Sequence, residues 1–381
     1  MGEKFVCVVI LCLILATIVD AQESSQNELQ ANLSGYADNF GVVVIYPNFS
    51  LTRQVNEATS INGRFLVDAV SSASMKSHFE VDGVSSATSK TNGGGDNTPD
   101  ELRFQFGGGA QHSFGSQSAA LNMMYSTEHD YSSLTFAGNF IQPMAQKNTT
   151  FHLGFVRSMD KVFPQIRDWK RDVDVATYSV QATQNLTPRA VMETIYSYTT
   201  SQGHLSDNYQ VVTVTTPTNV LSREPVHPDS RIRQAAAARL NYYIFTNSSV
   251  QFGYRYYWDD WEVNGHTIST LYQTHLGEDK IMGIGVRTHK QSKAFFYQET
   301  YNGNEQYMTV DPKLKEATTL DIQFKISFPK VPIFTWFPVD DRLKYQFAFN
   351  WYRRNTTTPD WHSKRNTLYA YNFNIGIRYR Y

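Results

Sequence analysis

The chain writes one decapeptide twice, VDAVSSASMK at 67–76 and VDGVSSATSK at 81–90, with seven of ten positions identical and the starts fourteen residues apart. The first copy sets Ser71, Ser72 and Ser74 behind Asp68, and the second sets Ser85, Ser86 and Thr88 behind Asp82. Small neighbours let another backbone or a phosphate approach such hydroxyls closely, as glycine does where a chain meets phosphate. The same composition, running on as SATSKTNGGGDN, is also that of a Ser-rich turn. Other residue types offer less chemistry. The ten histidines, among them His266, His275 and His289, show no close metal-ligand spacing. Trp258, Asp259, Asp260 and Trp261 read as an interfacial aromatic anchor beside a solvated loop rather than as an acid pair. With no G-x-S-x-G, P-loop or dinucleotide fingerprint, no catalytic residue and no metal ligand is assigned. A net charge of −1 gives no footprint for nucleic acid.

Within the second copy, DGVSSAT resembles D-G-x-S/T-G-A-T, the site at which a flavin transferase attaches FMN through a phosphodiester in sodium-pumping quinone reductases and other exported flavoproteins. The resemblance implies covalent FMN on Thr88, with Asp82, Gly83, Ser85 and Ala87 as recognition elements, and Ser74 as a second acceptor behind Asp68. It departs from the pattern where Ser72 and Ser86 replace the second glycine and where Ala69 replaces the first. The partners implied are a periplasmic flavin transferase and a redox protein.

The elements that must position this stretch begin with an export signal. MGEKFVCVVILCLILATIVDAQ has a charged start and an apolar run too short to span a bilayer, and it reads as a signal peptide (1–21) cleaved after Ala21. Both cysteines, Cys7 and Cys12, fall inside it, so neither a disulfide nor a thiolate ligand is expected afterwards. Residues 22–40 are expected to be a periplasmic N-terminal segment.

From residue 41 to 381 the pattern is one of long alternating strands. In YAYNFNIGIRYRY, Tyr369, Tyr371, Phe373, Ile375, Ile377, Tyr379 and Tyr381 share one face, against Ala370, Asn372, Asn374, Gly376, Arg378 and Arg380. RLKYQFAFNWY, TTLDIQFKISF and VQFGYRYYWDD repeat the arrangement. Such runs exceed ordinary globular strands and suit a tilted strand crossing a membrane. Further segments are expected near 41–46, 52–58, 61–70, 101–110, 117–126, 130–139, 149–158, 175–184, 188–199, 208–215, 234–246, 266–275, 280–290 and 293–301. The expected fold is all-β, a transmembrane antiparallel β-barrel of the outer-membrane type with roughly 14–18 strands, closed because lipid tolerates no open edge. Both signs of charge face inward, with Arg342, Lys344, Lys325, Arg378 and Arg380 against Asp259 and Asp321, so a neutral or filled lumen is expected. Polar connections fall at 71–100, 159–174, 216–230, 302–317 and 353–366, and the doubled decapeptide runs into the first.

EHDYSS (128–133), TQNLTPRAVMETIYSYTTSQGHLSDNY (183–209), EPVHPDSRIRQAAAARLNYY (224–243), YRYYWDDWEVNGHT (254–267) and AFFYQETY (294–301) together resemble the bacterial family known as domain of unknown function 3570. The resemblance implies an outer-membrane β-barrel of a Gram-negative bacterium, in contact with outer-membrane lipid. Three readings of function follow: a flavinylated barrel passing electrons between periplasm and exterior, a cofactor-free channel or structural barrel, and a barrel enzyme acting on lipid or glycan.

Overall fold

The computed structural model describes residues 27–70, 101–164, 167–277, 280–329 and 342–381. Their wall strands are β1 (Glu28–Asp38), β2 (Val43–Asn56), β3 (Thr59–Val70), β4 (Glu101–Phe114), β5 (Gln117–Thr127), β6 (Tyr131–Met144), β7 (Thr149–Val162), β8 (Arg171–Thr187) and β9 (Ala190–Gly203). A small hairpin of β10 (Val212–Thr215) and β11 (Val220–Arg223) interrupts the wall. The wall resumes with β12 (Ser230–Phe245), β13 (Ser248–Asp259), β14 (Asn264–Leu276), β15 (Lys280–Gln291), β16 (Ala317–Pro329), β17 (Leu343–Thr356) and β18 (Thr367–Arg380).

Each wall strand pairs antiparallel with its neighbours, and β1 closes the circle on β18 from Glu28↔Arg380 to Asp38↔Ala370. The result is a closed barrel of sixteen strands. Closure satisfies every edge, which is what hydrocarbon surroundings demand of a sheet. No helix among the described residues is long and apolar enough to cross a membrane; the crossing elements are strands.

Alternation sets the two faces. Phe252, Ile268, Ile284 and Phe373 point outward and are exposed, and Leu121 is 73% exposed, a waste of apolar surface in water but the natural state against lipid. Rings mark both rims of this belt, with Tyr256 stacked on Trp258 near one end and Tyr379 on Tyr381 near the other.

The two ends differ. At the end where β1 begins and β18 finishes, strands are joined by two to four residues, apart from the link between β16 and β17. At the far end lie the long connections 204–229, 292–316 and 357–366, and there too β3 ends and β4 begins.

Several expectations change. Residues 28–38, placed outside the barrel, are its first strand. Their outward positions are mostly small, so the apolar signal is weak, and the lipid face is supplied from next door: a Cβ on Gly35 would lie 2.2 Å from a ring carbon of Phe373. The segments 41–46 and 52–58 are one strand, β2. Only 212–215 of the segment 208–215 is a strand, and it stands outside the wall. Residues 293–301 form no wall strand: consecutive aromatics at 295–297 cannot alternate, and Phe296, Tyr297 and Tyr301 bury themselves in a loop core instead.

Candidate functional site at the far mouth

The loops 204–229 and 292–316 fold against each other across the far end of the barrel. Backbone bonds tie them, from Val226 N to the Met308 carbonyl (2.9 Å), from Met308 N to the Val226 carbonyl (2.8 Å) and from Thr215 N to the Tyr301 carbonyl (2.8 Å). Two apolar clusters fill the space between. One gathers Trp261, Val263, Ala294, Phe296, Tyr297 and Leu314; the other gathers Val212, Val214, Tyr301, Met308 and Val310. Burial of this kind stabilises a loop as it does a domain core, at about 1.5–3 kcal/mol for each large side chain.

His227 joins the two loops. Its Nδ1 donates to the carbonyl of Leu205 (3.0 Å), an acceptor only, which leaves Nε2 to accept from the hydroxyl of Thr309 (2.9 Å). Its own N–H donates to Ser206 Oγ (2.8 Å), and Trp261 and Phe296 flank the ring. Burial holds the imidazole below its ordinary pKa, so it is neutral near pH 7 and this pattern of one donor and one acceptor is the one it needs. The hydroxyl of Tyr301 is a second buried node: it accepts from the N–H of Gln298 (3.0 Å) and of Thr309 (3.1 Å), and it faces the carbonyl of Thr309 at 2.9 Å.

The cap is fastened to the rim on several sides. Arg231 Nε donates to Asp259 (3.0 Å) while its guanidinium lies over the Trp261 ring, whose Nε1 donates to the Ser230 carbonyl (2.8 Å). Tyr209 donates to Asp130 in the β5–β6 turn, and Arg167 pairs with Glu224 at 3.0 Å. Opposite, Asp207 and Asp311 lie within electrostatic reach of Arg365 in the β17–β18 connection. Trp261 and Asp259 are therefore parts of a folded cap, a correction to their reading as an interfacial anchor beside a solvated loop. The aromatic is only 3% exposed because Val263, Ala294 and Phe296 cover it.

Beside His227 a cavity of about 570 Å³ opens, lined among others by Arg171, His204, Glu224, His227 and Asp229. Arg171 Nη1 donates to His204 Nδ1 (2.8 Å), and His204 Nε2 donates to Asn208 (2.8 Å). Gly203, at φ +109°, turns the chain here so that its N–H meets the Asp229 carbonyl at 2.8 Å. No group of three or more metal-ligating side chains occurs among the described residues.

Below the cap the inner wall is largely polar: Asn32, Asn48, Gln105 and Ser126 fall in one continuous register that only Leu66 of β3 interrupts. Arg103 faces Asp68 across β3 and β4 at 3.7 Å. Asp68 is thus a wall residue of β3, and the only member of the flavin set to lie among the described residues. Thr88, Ser74, Asp82, Gly83, Ser85 and Ala87 lie outside them, in the connection that leaves β3 at the far end. The sequence reading missed His227 and Thr309; the proline-flanked histidine of EPVHPDS was the available signal.

A family model described as protein of unknown function (DUF3570) matches residues 12–173 and 160–368. No curated protein matches the chain. Among solved structures, a bacterial polysaccharide outer membrane secretin is similar with a TM-score of 0.52 at 8% identity, over 95% of this chain and 100% of its own. The siderophore receptor PirA from Pseudomonas aeruginosa scores 0.46 at 9% identity, over 94% and 81% of the two chains. The CymD monoaromatic hydrocarbon channel scores 0.42 at 8%, over 95% and 89%. Likeness at such identity concerns the fold alone, that of an outer-membrane-type β-barrel.

Proposed function

The chain belongs to the family of proteins of unknown function DUF3570, and from that premise we propose that it is a gated passage through the outer membrane for small polar solutes. The observation that carries this reading is the hydrogen bond between His227 and Thr309, which joins two loops over the end of a polar-lined barrel. Backbone bonds and apolar contacts hold the same loops, and a loop assembly outside the wall opens locally at a lower free energy than the barrel as a whole. The short turns and both termini then face the periplasm and the cap faces outward, following the usual asymmetry of such barrels. A polysaccharide secretin shares the fold, and at 8% identity it supplies no residue to the argument. Reconstitution in a planar bilayer tests the proposal: discrete conductance steps that become more frequent in Thr309→Val support it, and a silent bilayer with both proteins opposes it.

A covalent FMN on Thr88 or Ser74, with its transferase and redox partner, is supported by the motif alone. On the sidedness just given, the connection 71–100 is extracellular, so a periplasmic transferase would have to act before insertion. Intact mass spectrometry after coexpression with a flavin transferase separates the readings, because an FMN-sized increment lost in Thr88→Ala belongs only to the electron-transfer barrel.

A further inference from the structure

The charges of the inner wall are sorted by sector. Strand register fixes which positions face inward, and on β12–β17 these include Arg233, Arg239, Arg255, Arg287, Lys325 and Lys344. The inward carboxylates of the same strands are Asp259 and Asp321, and both are engaged. Asp259 accepts from Arg231 and from the N–H of Val263 (2.8 Å), and Asp321 sits 3.4 Å from Arg287. Arg255, Lys325 and Lys344 form no ion pair among the described residues. Arg255 lies over the ring of its neighbour Tyr257, and Lys325 lies along Gly283, where an added Cβ would meet its Cε at 2.7 Å.

On the adjoining strands, past the β12–β9 pairing, the wall is of another kind. The inward positions of β6–β9 carry hydroxyls, joined in pairs such as Ser133 with Ser158 (3.0 Å) and Thr177 with Thr199 (2.9 Å). Asp160 is held there by the Tyr131 hydroxyl (2.5 Å), and Glu193 reaches across the sector boundary to Arg239 (3.0 Å). Below the mouth, where Arg171 lines the cavity, no lysine or arginine faces inward from these four strands. Elsewhere Arg103 approaches Asp68 and Glu128, and Arg378 and Arg380 approach Glu28, while Arg64 of β3 faces inward with no ion pair among the described residues. The neutral lumen expected from the sequence does not hold for this sector.

We infer that the passage is anion-selective, with the β12–β17 wall as the track along which anions move and the hydroxyl wall of β6–β9 as its hydrogen-bonding counterpart. Charges of one sign on a low-dielectric wall focus the field into the aqueous path and raise the local concentration of counter-ions. At physiological salt the Debye length is about 8–10 Å, so the effect acts on the water next to this wall and weakens as ionic strength rises. The inference rests on the passage reading, and its solute class is small anions, whether inorganic ions or organic carboxylates and phosphates.

The test is the reversal potential of the reconstituted barrel in a potassium chloride gradient, followed by substitution of potassium acetate and potassium phosphate. The expected result is a chloride-to-potassium permeability ratio of about two or more, falling to one or below in Lys325→Glu/Lys344→Glu. Arg157→Gln, which alters an outward-facing pair with Asp174, is expected to keep the wild-type ratio. Conductance with a zero or cation-directed reversal potential in the wild type overturns the inference and leaves the passage reading standing. No conductance in either the wild type or Thr309→Val removes the passage reading and this inference with it. Should the double variant fail to fold, the wild-type reversal potential still decides.

Discussion

Nε2 of His227 and Oγ1 of Thr309, 82 positions apart in the chain, meet at 2.9 Å inside the far-end cap. The contact is possible because Thr309 Oγ1 also accepts from the N–H of Asp311 (3.0 Å), which turns its proton toward the imidazole. A local turn thus orients a long-range bond, and the long-range bond helps to hold the two loops together.

Thr309→Val removes the donor, keeps the shape, and leaves His227 Nε2 buried without a partner. The cost expected is about 1–3 kcal/mol, the penalty for an unsatisfied buried group. Because the sixteen-stranded wall is untouched, the loss is confined to the cap. Limited proteolysis of folded barrel should cut within 204–229 faster in the variant than in the wild type, at unchanged heat-modifiable mobility on gels. Equal cleavage rates would show that the bond does not hold the loops.

Acid should act on the same joint. Burial depresses the pKa of His227, with Arg231 depressing it further and Asp311 and Asp207 opposing, and burial also depresses that of His204. His362, in the β17–β18 connection, is lowered to about 4 by burial and by Arg365 beside it. A histidine with a depressed folded-state pKa binds fewer protons folded than unfolded. Its contribution is therefore complete above the unfolded value of about 6.5 and is lost as pH falls through the folded value. Proteolytic protection of 204–229 should be flat from pH 7 to 8 and decline below about 6.5, and in His227→Phe the decline attributable to this residue should disappear.

Glycines of the inner wall fall into two kinds. At Gly109 an added Cβ would stand 2.5 Å from the backbone oxygen of Leu121, which cannot yield, whereas at Gly283 it meets only the flexible Lys325 chain. Gly109→Ala is expected to lower refolding yield and to cost about 1–3 kcal/mol, in the range of overpacked sites. Gly283→Ala should fold normally while pushing Lys325 off the wall. Urea titrations followed by gel mobility distinguish the two, and equal midpoints would contradict the assignment.

At the cavity, Gly203→Ala would force a φ of +109° on a residue with a Cβ, and that Cβ would stand 2.1 Å from the Asp172 carbonyl. A destabilisation of about 1–3 kcal/mol follows from such strain. Increased hydrogen exchange at the amides of Gly203 and His204, which bond to the Asp229 and Asp172 carbonyls, is its local signature, and unchanged exchange would contradict it.

The wall was legible in the sequence where outward positions are large. Tyr369 to Tyr381 and Leu343 to Trp351 announce β18 and β17 because lipid-facing side chains there are aromatic or branched. β1 was not legible, since Ala31, Gly35 and Ala37 mark no apolar face and the neighbouring strand supplies the cover. The cap was misread for the converse reason: Phe295, Phe296 and Tyr297 carry the composition of a strand, but Phe296 and Tyr297 are buried against Trp261 and Val263, distant in sequence, while Phe295 stays exposed. The charge sectors escaped notice because Arg233, Arg255 and Arg287 stand on three different strands and come to one inner sector only through register, which a single strand does not reveal.

The most direct measurement is single-channel conductance of the purified barrel in a planar bilayer, comparing the wild type with Thr309→Val. The account predicts brief openings in the wild type and, at the same unit conductance, a several-fold higher open probability in the variant, the factor that about 1 kcal/mol yields. Silent bilayers with both proteins, or a permanently open wild type that the variant does not change, would contradict it.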